Sequence, residues 1–372
     1  MSEDDADTGV SQNTKMELAK ALLAVKSVAS SEDFRKIREI LVPKAVQAAV
    51  DEAVHGLTKE DEFAMMCRLM GTATHLVRMD QRPIIDGEFL VPDFLARFQP
   101  GCTPHRQKKD SSAGHRCLVE VKSTKKHSFK VGGKKLKLLR AFADQFGLPL
   151  LFAVRFLRFE EYALWVIVED ADRTKNHLNI TYNHLSEGVR QALWDDYMYM
   201  VNPWLCFRAI YDSSSTDESG YRHSQHGLLR EFHIVSDAEH PITGTGIEDN
   251  TAVFTGIDAA TFALFFQCFV LEVRDSGQRD SLTSEILQAT RLCSIADMLY
   301  RMNRLPRDTE GRAILDPTRL LATDDGGPPI TRSFIEGVVK MVGGATLGIM
   351  TFGHPDEHLQ KWQRLGGSAG QS

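Results

Sequence analysis

Nothing in this sequence reads as a membrane helix, because no run of about 18 apolar residues occurs among its 372 positions. The start, MSEDDADTGVSQNTK, is acidic where an export signal would be basic and then apolar, so a cytoplasmic protein is expected. Paired cysteines are missing as well. The six present (Cys67, Cys102, Cys117, Cys206, Cys268, Cys293) are scattered without a CxxC spacing, which suits reduced, packed thiols better than a disulfide framework. There is no Gly-rich phosphate loop, no GxSxG elbow and no HExxH helix. Proline and glycine are not in excess, and 42% apolar with 25% charged residues is an ordinary globular balance. The length favours two compact units over one.

Basic charge is also scarce overall, and the net charge of −6 taken alone argues against a partner rich in phosphate. Its distribution reverses that reading. From His105 to Arg140 twelve Lys or Arg stand against two acids, Asp110 and Glu120, so this window is +10 and the remainder −16.

Alanine and leucine at helical spacing predict a packing layer of three helices, 14–28, 31–41 behind Ser30 and Ser31, and 44–55 ending at Gly56. Thr58 with Asp61 resembles a capping box opening a further helix that Gly71 closes. Strand-like runs follow: THLVRM, then GEFLV and DFLARF around Pro92, then CLVEVKS after a long basic loop. KKLKLLRAFADQFG reads as an amphipathic helix, and LPLLFAVRF and YALWVIVE as strands. Beyond Asp170, NITYNHLS is expected as a strand and SEGVRQALWDDYMYMV as a helix. The Ser-rich stretch 212–226 is expected as a linker or exposed loop and marks the domain boundary. After it GLLREFHIV and TAVFTGI read as strands, and ATFALFFQCFVLEV, SEILQATRLCSIADMLYRM and TRSFIEGVVKMV as helices, an α+β unit over 227–360. Phe262, Phe265, Phe266 and Phe269 fall on helical spacing and are expected in a core. Residues 1–13 and 361–372 read as tails.

The chemistry concentrates in one strand. Alternation puts Leu118, Glu120 and Lys122 on one face and Val119 and Val121 on the other, so a carboxylate and an ammonium project together while the valines bury. Asp93 begins an adjacent apolar strand behind Pro92, a residue tolerated at strand starts. Two carboxylates with waters make the incomplete oxygen shell that Mg²⁺ prefers, and a neighbouring lysine can position an attacking water or stabilise phosphorane-like charge.

Pro92-Asp93 and, 27 positions on, Glu120-Val121-Lys122 resemble the motif of the PD-(D/E)XK nuclease superfamily, which includes restriction endonucleases and archaeal-type Holliday junction resolvases. Its αβββαβ core is similar to the element order read from about Thr58 to Phe156, so the domain over 58–211 would be an α/β restriction-endonuclease-like unit behind a helical layer over 14–57. The resemblance implies that Asp93 and Glu120 bind Mg²⁺ or Mn²⁺, that the Val121 carbonyl completes the shell and that Lys122 is the catalytic lysine. It further implies an acid from the first helix, Glu62 with Glu60 a close second, and a weak match to a later polar residue at Gln145 or Lys137.

The function implied is metal-dependent hydrolysis of DNA, with RNA an open alternative, in antiviral defence, repair or junction resolution. Such nucleases often act as homodimers or with protein partners. Lys125, Lys126, Lys130, Lys134, Lys137 and Arg140 are the expected phosphate contacts. The rival reading is a non-catalytic nucleic-acid-binding or scaffolding subunit on the same fold. Cys102, His105, His115 and Cys117 flank the basic loop in an order that could form a Cys2His2 site, although packed thiols are the stronger expectation and zinc is not.

Overall fold

A computed structural model of the chain describes residues 18–22, 25, 29–80, 89–99, 114–158, 163–201, 204–217, 220–236, 247–248, 251–255, 261–262, 264, 268, 270–279, 281–289, 292–303, 330–342 and 347–350. The expected tails, Cys102, His105, Phe265, Phe266 and Phe269 lie outside the described residues.

Helix α1 (Ser31–Leu41) starts as its sequence suggests, with the Ser30 hydroxyl accepting the Asp33 amide at 3.2 Å and two acids in the first turn. Helix α2 (Gln47–Met70) runs unbroken through Gly56 and Thr58, so the break expected there is absent. A helix interior tolerates one glycine at a cost of about 1 kcal/mol, and packing outweighs it here. Gly71 does end the helix, in the left-handed region at φ 71°.

Four strands and a helix then build the central layer: β1 (Ala73–Arg78), β2 (Phe94–Phe98), β3 (His115–Thr124), the short β4 (Ser128–Val131), and α3 (Gly133–Phe146). Strands β5 (Leu150–Phe156) and β6 (Trp165–Glu169) complete a sheet of order β1-β2-β3-β5-β6, in which β3 and β5 are parallel and the other pairs antiparallel. This is the helix, three strands, helix, two strands read from the sequence. The run around Phe89–Val91 is not a strand, and β4 was not foreseen; it pairs with β7 (Leu178–Thr181) in a separate two-stranded sheet.

The pleat divides the sheet's side chains between two cores. Cys117, Val119 and Val121 of β3 with Leu151 and Ala153 of β5 face Phe63, Met66, Cys67 and Met70 of α2. Leu118 with Leu150, Phe152, Val154 and Phe156 faces Leu136, Leu139, Phe142 and Ala143 of α3. Arg155 is the exception in an otherwise apolar strand. It lies on the α2 side, buried, and its guanidinium donates to Glu62 at 2.6 Å.

The helix expected over 186–201 is short. α4 (Val189–Trp194) stops because Asp195 takes a positive φ of 51°, and Asp196, paired with Arg190, turns the chain into β8 (Met198–Val201). After β9 (Leu205–Asp212) and β10 (Arg222–His223) comes β11 (Gly227–Ser236), antiparallel to β9. The segment 212–226 thus joins neighbouring strands of one sheet, and its Ser-rich composition marks an exposed turn rather than a break between cores.

That sheet adds β12 (Ile247–Glu248), β13 (Thr251–Thr255), β14 (Val270–Arg279) and β15 (Leu282–Ala289) in the order β12-β13-β11-β9-β15-β14, with β10 on β11. Two expected helices hold only in part: Thr261, Phe262, Leu264 and Cys268 are helical but the chain is strand from Val270 onward, and 284–302 divides into β15, β16 (Leu292–Ser294) and the helix α5 (Ile295–Met302). Strand pairing of β15 along β9 overrides the helical periodicity. Helix α6 (Arg332–Val342) and β17 (Leu347–Met350) follow, β17 and β16 flanking β8. No described helix is long and apolar enough to cross a membrane.

Arg155→Met leaves the buried Glu62 with Lys59 as its remaining counter-charge. It is therefore expected to lower unfolding stability by about 1–3 kcal/mol in urea titrations, and pairing it with Glu62→Leu to recover most of the loss. A single variant as stable as the wild type would show that the pair does not hold α2 to the sheet.

Candidate active site

β2 and β3 pair from Phe94 opposite Val119 down to Phe98 opposite His115, so Asp93 stands one step past the ladder, beside Glu120. By pleat parity both point to the α3 side, with Leu95 and Leu118. The Asp93 carboxylate accepts the Val121 amide at 2.7 Å and the Lys122 ammonium at 3.3 Å. Lys122 Nζ also lies 2.8 Å from Glu120 and donates to the Val121 carbonyl at 2.6 Å. One ammonium therefore touches three of the four oxygen groups named from the sequence as metal ligands, all but Glu62. Asp93 and Glu120 are only 2% and 3% exposed.

The electrostatics are those of crowded acids. Burial, then the Glu120 charge, pushes Asp93 up to about 6 despite Lys122 and the Val121 amide. Burial works on Glu120 in the same direction, but Lys122 and Lys135 hold it below its ordinary range. Lys122, although burial disfavours its charge, is held above the usual lysine range by Asp93 and Glu120.

The first-helix acid that joins this cluster is Glu60. Burial and the Asp93 charge push it up to about 8, against Arg78 and Lys122. Glu62 faces elsewhere: two residues along a helix is a rotation of about 200°, and Glu62 is held by Arg155 at 2.6 Å and Lys59 at 2.8 Å. The expectation for Glu62 is corrected accordingly. The three carboxylates do not gather within 4.8 Å of one another, so Glu60 is an outer member of the group.

Sequence reasoning passed over Lys135, whose ammonium lies 2.8 Å from Glu120. Its signal was available: Lys135, Leu139 and Phe142 form an i, i+4, i+7 stripe on the buried face of α3, with the lysine at the open end. Of the expected phosphate contacts, Lys125, Lys126, Lys130, Lys134 and Lys137 are exposed. Arg140 is not available in that way. Its guanidinium grips Asp170 at 2.6 and 2.7 Å and donates to the carbonyls of Asp172, Arg173 and Lys175. Gln145 is exposed near the far end of α3, away from Lys135. His115 and Cys117 are buried on β3, and burial pushes the Cys117 thiol up.

Between pH of about 4.5 and about 8 the folded, metal-free protein keeps a proton on Glu60 that the unfolded chain has released. Stability in EDTA is accordingly expected to fall as pH rises through that window, by up to about 1.4 kcal/mol per unit, and Glu60→Gln to flatten the dependence. Melting temperatures at pH 5 to 8 measure this, and identical profiles would remove Glu60 from the cluster. Arg140→Ala is expected to lower the melting temperature, because it removes the ties between α3 and the segment after β6, whereas Lys134→Ala and Lys137→Ala, at exposed positions, are expected to leave it unchanged.

No protein-family model and no curated protein matches the chain. Among solved structures it is similar to Hjc, a Holliday junction resolvase from Archaeoglobus fulgidus, at 19% identity and a TM-score of 0.24, over 35% of this chain and 86% of that one.

Proposed function

We propose that the chain is a divalent-metal-dependent nuclease of the PD-(D/E)XK type that hydrolyses DNA phosphodiesters at Asp93, Glu120 and Lys122. One observation carries this reading: the Lys122 ammonium is lodged among the Asp93 and Glu120 carboxylates and the Val121 carbonyl, an all-oxygen group that already accepts a cation. The donor set fits Mg²⁺ or Mn²⁺, which favour a few carboxylates with the shell completed by water. Burial first, and the neighbouring carboxylate charge second, raise the Asp93 and Glu60 carboxyls, and a bound cation would offset both effects.

A bound divalent cation would supply charge neutralisation at the phosphoryl oxygens and lower the pKa of water. Asp93, Glu120 and the Val121 carbonyl would hold it, with Glu60 contributing through its electrostatic coupling to Asp93. Lys122, kept as an ammonium, acts as a donor: it orients the attacking water or meets the charge that develops on phosphorus. Lys135 anchors Glu120 from the helix side, so that carboxylate keeps its position as charge moves. Lys125, Lys126, Lys130, Lys134 and Lys137 offer backbone contacts that position a duplex without reading bases. DNA is the substrate this reading favours, with RNA as the comparison arm.

Wild-type protein, Glu120→Ala and Lys122→Ala are to be incubated with supercoiled, linear and branched DNA and with RNA, in Mg²⁺, Mn²⁺ or EDTA. DNA cleavage that needs the metal and falls about 100-fold or more in both variants is the expected outcome. Cleavage that persists in EDTA or in Glu120→Ala would overturn the assignment.

A further inference from the structure

A second cluster lies on the other large sheet, in a segment whose sequence reads only as a polar loop. The stretch Tyr221-Arg-His223-Ser-Gln-His226-Gly227 contains an HxxH spacing inside a tight hairpin, with His223 paired to Gly227 across β10 and β11. Gly227 takes φ +88°, and a Cβ there would meet the Asp212 carbonyl at 2.2 Å, so the turn is pressed against the end of β9.

The register explains what lies beneath it. Tyr211 of β9 is opposite Leu229 on one side and Thr283 on the other, and Glu285 shares the face of Thr283 two residues along β15. The hairpin folds over that face. The rings of His223 and His226 stack at 4.4 Å and 7°, and lie 5.3 and 5.8 Å from the Tyr211 ring. His226 Nε2 is 3.1 Å from the Glu285 carboxylate, and one donor atom from each of His223, His226 and Glu285 falls within 4.8 Å of the others.

We propose that His223, His226 and Glu285 form a site for a divalent transition metal of the Zn²⁺ class. Two imidazoles and one carboxylate match the borderline character of that ion, and three protein ligands leave a tetrahedral position for water. The 3.1 Å between His226 and Glu285 is already near the separation of two ligands on one such ion, about 3.4 Å for bonds of 2.0–2.1 Å.

A second observation points the same way. Among the described residues His226 is the one cationic partner of the buried Glu285, and a neutral imidazole leaves that carboxylate without a counter-charge; a dication supplies it. The Tyr211 hydroxyl is buried in the same place, within reach of the Glu285 carboxylate, and as a neutral donor it supplies no counter-charge. His223 Nδ1 accepts the amides of Gln225 and His226, both at 3.2 Å. Whichever ring nitrogen ligates, these two long contacts are given up for a metal bond. The metal would tie the turn to β15 and so clamp the connection between β9 and β11.

The test uses the full chain stripped of metal and titrated with Zn²⁺ against a chromophoric chelator, and with Co²⁺ for its ligand-field spectrum. Compared are wild type, His226→Gln, Glu285→Gln and the double variant Asp93→Asn/Glu120→Gln. The expected result is one equivalent bound with a tetrahedral Co²⁺ spectrum in wild type and in the Asp93/Glu120 double variant. Affinity should weaken at least about tenfold, that is 1.4 kcal/mol, in His226→Gln and Glu285→Gln. Metal-free melting curves check folding: the hairpin variants should melt like the metal-free wild type and lose the Zn²⁺-dependent rise. Binding unchanged in the hairpin variants, or abolished by the Asp93/Glu120 substitutions alone, overturns the proposal. A hairpin variant that is unfolded without metal is replaced by His223→Gln, read in the same way.

Discussion

The Lys122 ammonium is the group on which the central sheet depends. An isolated carboxylate taken out of water costs several kcal/mol even after relaxation, and two of them, Asp93 and Glu120, are buried side by side at the end of β2 and the middle of β3. Lys122 reaches both and the Val121 carbonyl, and Lys135 reaches Glu120 from α3. The sheet accepts this because β3 carries its apolar burden on the other face, where Cys117, Val119 and Val121 meet α2. Charge and core are separated by nothing more than the two-residue period of a strand. The compensation is incomplete, and the raised carboxyls of Asp93 and Glu60 record what is left over.

That period is also why the heart of the site was legible in the sequence. Glu120 and Lys122 could be placed on one face without knowing which strand they faced, and Pro92 marked where the Asp93 strand begins. The helix was harder. Glu60 and Glu62 are both buried, and choosing between them required the rotation of α2 about its axis, which is fixed by what it packs against. The decisive clue lay 93 residues downstream in Arg155, the one charge in the strand LLFAVRF, which claims Glu62. Arg140 shows the converse limit. Its helical spacing with Lys134 and Lys137 is real, but Asp170 at the end of β6 captures it, and a contact of 30 residues' separation leaves no local pattern.

The C-terminal half was legible only in part: GLLREFHIV and TAVFTGI are β11 and β13 as read, and the rest was hidden for a related reason. Pairing there spans long separations, β15 against β9 in the large sheet and β8 between β16 and β17 in a separate three-stranded one, so short apolar runs that satisfy a helical template are drawn into strands by partners far away. At 212–226 the composition signalled an exposed loop, as found, but not what the loop carries. A Ser-rich segment on the surface looks like a linker, yet it closes a hairpin and carries two histidines onto a buried glutamate.

The two sheets are not independent bodies loosely joined. The core that begins at Phe63 on α2 continues through Trp165 and Trp194 to Phe207, Phe232 and Leu299 without interruption. Polar contacts reinforce it where backbone groups would otherwise be stranded. Arg190 on α4 pairs with Asp196 and donates to Ser294, joining the turn before β8 to the cap of α5. Arg332 at the start of α6 donates to the carbonyls of Met70, Trp194 and Asp195 at 3.2, 2.7 and 3.0 Å. The planar fork of a guanidinium fixes direction as well as distance, so α6 sets the C-terminal end of α2, the helix that carries Glu60. The C-terminal end of the helix that carries Glu60 is thus tied to a residue 272 places beyond that acid, and a fragment ending before α6 lacks that tie.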